Sequence, residues 1–106
     1  SAGQKFNSLL AINRHSLAAR YAGGWIELFR GRSKPALEQF SEALRLGERD
    51  PLRFKVFAGM AYAHFFEGRY DLAIECSRRA VQMRPGYQTA LRAEAASLAL
   101  AGRLAE

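Results

Sequence analysis

Few side chains in this sequence could do chemistry. His64, Glu67 and Asp71 fall within one short stretch and are the residue types of a general acid–base set. His64 also reads as a helix-packing residue, and that account is the stronger one. Cys76 and Ser77 offer a thiol and a hydroxyl side by side, but nothing nearby in sequence supplies either with a base. A single cysteine forms no internal disulfide, and with His15 and His64 it makes no cluster at metal-ligand spacing. Cys76 therefore reads as a small buried hydrophobe. Gly23-Gly24 lies inside what reads as one helix, where Gly24 allows close packing, so it is no phosphate loop. No catalytic residue, no metal and no cofactor is assigned, and the chain is read as a binding protein and not an enzyme.

Composition narrows the class. With 49% hydrophobic residues, 106 residues can build a core and fold. The charge is basic, 16 Lys+Arg against 10 Asp+Glu. Most of the cations are arginines scattered from Arg14 to Arg103, as on solvated helix faces. A nucleic-acid footprint would need them clustered on one face. No apolar run approaches the roughly 18 residues of a membrane span, and no secretory signal layout opens the chain. A reducing, cytoplasmic home is expected. The chain begins with Ser1, which reads as a piece of something longer.

The elements that would position any site follow a repeated pattern. From Gly31, small and apolar residues stand at offsets of five, six, twelve and thirteen: Ala36, Leu37, Ala43 and Leu44. From Gly68 the same offsets give Ala73, Ile74, Ala80 and Val81, and Gly102 opens a third instance. Arg32, Arg69 and Arg103 follow the three glycines. The pattern predicts helical hairpins, each glycine taking the left-handed conformation that ends one helix, with the alanines packing the next helix closely against it. Helices are expected at 3–13, 17–30, 33–46, 51–67, 70–83 and 87–101, in antiparallel pairs. Asp50 and Pro51 are placed as cap and first residue of the fourth.

The interval of 34 residues from Gly68 to Gly102, with Gly, Ala, Ala and Pro85 at these offsets, resembles the tetratricopeptide repeat. Phe57, Met60-Ala61, Gly68, Ala73, Ala80 and Pro85 match that pattern. His64 and Ser77 depart from it, as do Arg20, Gly23, Glu27 and Glu48 in the preceding unit. The resemblance implies an all-α fold of antiparallel helix hairpins, stacked as a short right-handed solenoid. Residues 17–53 and 54–87 would each be one repeat, 88–106 an incomplete one and 1–16 the tail of a preceding one. "ERDPLRF", "AHFFEGRYDLAIE" and "ALRAEAASLALAGRLAE" further resemble tetratricopeptide regions that follow a nucleotide cyclase domain or a winged-helix regulator domain in larger bacterial proteins. This implies a part of a bacterial cytoplasmic regulator, and brings neither cyclase activity nor a DNA-reading helix.

Carried over from the family, the groove-facing positions are Tyr21, Trp25, Leu28 and Phe29, then Lys55, Tyr62, Phe65 and Phe66, then Arg92 and Ala96. Leu28 and Phe65 read as core; Tyr21, Trp25 and Tyr62 stay open between packing and partner contact. The resemblance implies a protein or peptide partner, but not one held by a Lys/Asn carboxylate clamp, because those Asn residues are absent. Self-association through Leu91, Leu98 and the Ala-rich face around them is a second expectation. The rival reading is a nucleic-acid-binding helical repeat, with Arg30, Arg32, Lys34, Arg78 and Arg79 as one patch.

Overall fold

The computed structural model describes residues 16–106, and among these it holds five helices. They are α1 (Leu17–Phe29), α2 (Ser33–Leu46), α3 (Arg53–Phe66), α4 (Tyr70–Met83) and α5 (Gln88–Leu100). The helix expected at 3–13, with the repeat tail it would form, lies outside the described residues.

Local chemistry sets the ends. Ser16 caps α1, its hydroxyl accepting the Ala19 N–H at 3.1 Å. Pro35 lies in the first turn of α2, where no N–H is needed. The helix expected from Pro51 starts at Arg53 instead. Asp50 Oδ1 takes the Leu52 N–H at 2.8 Å, and the Arg53 and Lys55 N–H groups bond three residues back, so the chain turns tightly before the helix begins. At the other end of the hairpin, Pro85 stops α4, and the Tyr87 N–H closes a turn onto the Arg84 carbonyl.

Three turns are built alike. Gly31, Gly68 and Gly102 have φ of 73°, 75° and 73°, and no other described residue has a positive φ. After each, an arginine N–H reaches back five residues: Arg32 to Glu27, Arg69 to His64 and Arg103 to Leu98, at 2.9, 2.9 and 2.8 Å. The glycine N–H itself bonds three residues back. This pair of bonds is the Schellman closure, which satisfies carbonyls that the helix end leaves open.

Consecutive helices run antiparallel. Between α1 and α2, Gly24 faces Phe40 and Leu17 faces Gly47, so one helix descends as the other climbs. The ring contact of Phe65 with Tyr70 and the stacking of Arg79 on Phe57 show the same for α3 and α4. The ion pairs Asp71–Arg103 and Glu94–Arg78 show it for α4 and α5. The first helices of successive hairpins also touch, α1 with α3 and α3 with α5. Central α3 is accordingly buried around most of its circumference, through Phe54, Val56, Phe57, Ala58, Gly59, Ala61 and Ala63.

Small residues sit at the close helix contacts, and Phe40 is the largest fully buried side chain among the described residues. Ala36, Ala43, Ala73 and Ala80 are fully buried, as the offsets from the glycines predict. Phe40 is fully buried between two glycines: a Cβ on Gly24 or Gly59 would stand 2.3 or 2.6 Å from its ring. A glycine inside a helix costs about 1 kcal/mol relative to alanine, while truncating a buried Phe to Ala costs about 3–5 kcal/mol, so the ring decides the exchange. Counted from the next turn glycine, Ser77 holds the place of Phe40, and Ala61 and Ala93 hold those of Gly24 and Gly59. All three are buried, and the Ser77 hydroxyl donates to the Ile74 carbonyl at 2.9 Å.

Candidate functional site

The helices α1, α3 and α5 share a face on which aromatic rings form a continuous chain. Phe29 lies 5.9 Å from Trp25, Trp25 lies 5.7 Å from Tyr62, and Tyr62 lies 6.2 Å from Phe66, centroid to centroid. Phe65 and Tyr70 continue it across the α3–α4 turn. The sequence left Tyr21, Trp25 and Tyr62 open between packing and contact, and their geometry serves both. Tyr21 and Trp25 each rest on the buried Phe40, at 6.2 and 6.3 Å, and are half-buried. Tyr62, also half-buried, donates its hydroxyl to the Thr89 carbonyl at 3.3 Å, tying α3 to α5. Leu28 is buried, as expected, and Phe65 half-buried.

The two ends of the helices present different chemistry on this face. Phe29 and Phe66 are the last residues of α1 and α3, and are 84% and 62% exposed. Leu100, the last residue of α5, is 58% exposed and completes the row. Each stands two residues before its turn glycine. The sequence reading missed Leu100, although that constant offset marks it.

At the opposite end, Lys55, Phe54, Arg84, Gly86 and Tyr87 line a cavity of about 370 Å³. Tyr87 meets Phe54 edge-on at 4.9 Å, and the Arg84 guanidinium lies 5.2 Å from the same ring centroid. Burial first, and then the neighbouring Tyr87 phenol, raise the pKa of Tyr21, which places Tyr21 at this same end. Arg92 is exposed in the second turn of α5. Among the described residues no carboxylate forms an ion pair with Lys55, Arg84 or Arg92. Thus Tyr21, Trp25, Phe29, Tyr62 and Phe66 come together, Lys55 joins them through the Tyr87 end, and Arg92 stands one helix further along.

Two of the acid–base residues, His64 and Asp71, have arginine partners. His64 Nδ1 accepts from Arg69 Nε at 3.0 Å; burial first, and then the Arg69 charge, hold its pKa below the ordinary histidine value. Asp71 accepts from Arg103 at 2.7 Å. Burial pushes the half-buried Cys76 thiol up to about 11, away from thiolate chemistry. Cys76 lines a second cavity of about 440 Å³ with Phe57, Glu75, Arg78, Arg79 and Gln82. There Arg53 and Arg79 lie 5.5 and 4.8 Å from the Phe57 centroid. No group of three His, Cys, Asp or Glu that could hold a metal ion occurs among the described residues, and no described helix is long and apolar enough to cross a membrane.

Compared with models of known protein families and with curated proteins, the chain matches none of them.

Proposed function

We propose that the chain is a tetratricopeptide-like interaction module, its hairpins stacked as a short right-handed solenoid, and that it binds a protein or peptide segment across α1, α3 and α5. The observation that carries this is the exposed pair Phe29 and Phe66, continuous with the Trp25–Tyr62 stack, with Leu100 exposed at the matching place on α5. Exposed apolar groups aligned over three elements are a partner-binding feature more than a folding one. The triplicate Schellman turns, the buried alanines and the contacts between first helices support the repeat reading. A role inside a larger bacterial cytoplasmic regulator is part of the same proposal.

The nucleic-acid alternative is less well served. Arg30 and Arg32 pair with Glu27, Arg78 pairs with Glu94 and Glu106, and Arg79 is stacked on Phe57. The patch it requires is thus largely engaged within the protein.

Panning a random peptide display library on the immobilised protein tests the proposal, with hits followed by the emission of Trp25, the only tryptophan in the chain. Selected peptides should shift that emission, and Phe29→Ser or Phe66→Ser should abolish the shift. Peptides that bind equally well to both variants would place binding elsewhere and sink the reading.

A further inference from the structure

We infer that the partner is an amphipathic helix with carboxylates along one edge and aliphatic or aromatic side chains along the other. This rests on the groove reading above and adds the chemistry of the occupant. The two edges of the shared face differ in kind. Phe29, Phe66 and Leu100 give an apolar edge where the helices end. Lys55, Arg84 and Arg92 give a cationic edge where α3 and α5 begin, and the N-termini of those two helices add positive potential there.

Lys55 and Arg92 have no acidic partner among the described residues, and Arg84 rests on the Phe54 ring. Asp50, the acid nearest Lys55 in sequence, turns its carboxylate to the Leu52 N–H. Cations left unpaired beside a groove favour an acidic occupant and disfavour a basic one. Along α3, Lys55 and Phe66 are eleven residues apart. At about 1.5 Å per residue that is roughly 16 Å, a width that takes one helix of about 10–12 Å diameter with long side chains reaching in from either side. The apolar edge crosses α1, α3 and α5, and the cationic edge runs over α3, the connection before α5 and α5, so the occupant lies across these helices with its two faces turned to the two edges.

The test uses two synthetic helical peptides of about five turns with one shared Leu/Phe face, one carrying Glu along the flanking face and the other Lys. Calorimetry and Trp25 emission are the readouts. The Glu peptide should bind roughly tenfold or more tighter than the Lys peptide at low salt, and the difference should shrink as salt screens the charges. Lys55→Glu combined with Arg92→Glu should invert the preference with the helical circular dichroism unchanged, and Phe66→Ser should weaken both peptides. Equal or tighter binding of the Lys peptide to the native chain overturns the acidic partner and leaves the groove standing. Silence of both peptides while library-selected ones bind overturns the helical partner. If no peptide from either experiment binds, the groove reading falls with it. Displacement of the Glu peptide by a single-stranded oligothymidylate, or a concentration-dependent Trp25 shift without peptide, overturns the inference in favour of nucleic acid or of a second copy of the chain.

Discussion

A methyl group added at two different glycines separates two ways in which this protein depends on the smallest side chain. Gly68 has a φ of 75° and nothing within 4 Å of where a Cβ would stand. Gly68→Ala should therefore cost about 1–2 kcal/mol by conformation alone. Gly59 has no positive φ, but its Cβ would meet the Phe40 ring at 2.6 Å, so Gly59→Ala should cost about 1–3 kcal/mol by overpacking. Shrinking Phe40 to Leu should recover part of the second loss and none of the first. Urea unfolding of Gly68→Ala, Gly59→Ala, Phe40→Leu and the two double variants decides this, and equal rescue of both would show that Phe40 does not set the constraint. His64 gives a prediction in pH. Its folded pKa lies below its ordinary value, so the unfolded chain binds the proton more readily, and the stability linked to neutral His64 is present above the unfolded pKa and is lost as pH falls toward the folded one. Protonation would also set an N–H on Nδ1 against Arg69. Native protein should lose more stability between pH 7.5 and 5.5 than His64→Gln does; parallel stability curves would refute it.

Among the elements, the boundaries of α2 and α4 were legible in the sequence because each begins just after a left-handed glycine and an arginine, and each meets Gly47 or Pro85 at its end. The start of α3 was less so, since Asp50 and Pro51 resemble a cap and a first helical residue but form a turn. Asp50→Ala removes the acceptor for Leu52 and should cost about 0.5–2 kcal/mol, with the loss of helical signal confined to α3; no change would show that the turn stands without its side chain. The aromatic stripe could be read from helical spacing, and Leu100 from its offset. Tyr87 and Arg84 could not, because they reach the Phe54 ring from a connection about thirty residues later and carry no local signal. The apolar row makes its own prediction. Phe29→Ser, Phe66→Ser and Leu100→Ser each remove an exposed group, so stability should change by no more than about 0.5 kcal/mol while peptide binding is lost. A large stability loss at any of them would assign that residue to the core.

Among the described residues, each helix packs chiefly on its neighbours in sequence, and α1, α3 and α5 also pack on one another in turn. Contacts of that kind are mostly local, and stability is then shared between hairpins and the interfaces joining them. Ala73 and Ala80 are buried at such an interface, and Ala73→Leu or Ala80→Phe should destabilise the fold by about 1–3 kcal/mol; unfolding curves that do not move would put the repeat in another register. The two seams between hairpins are filled differently, one by a phenyl ring set between glycines, the other by a serine at the matching place, with alanines for the glycines. Exchanging the two hairpins would keep Gly24 beside Phe40 but take Gly59 away, and the ring would then meet the Ala93 methyl. Repeats that look alike in sequence are therefore not interchangeable: a single methyl, absent from Gly59 and present on Ala93, gives these hairpins a preferred order.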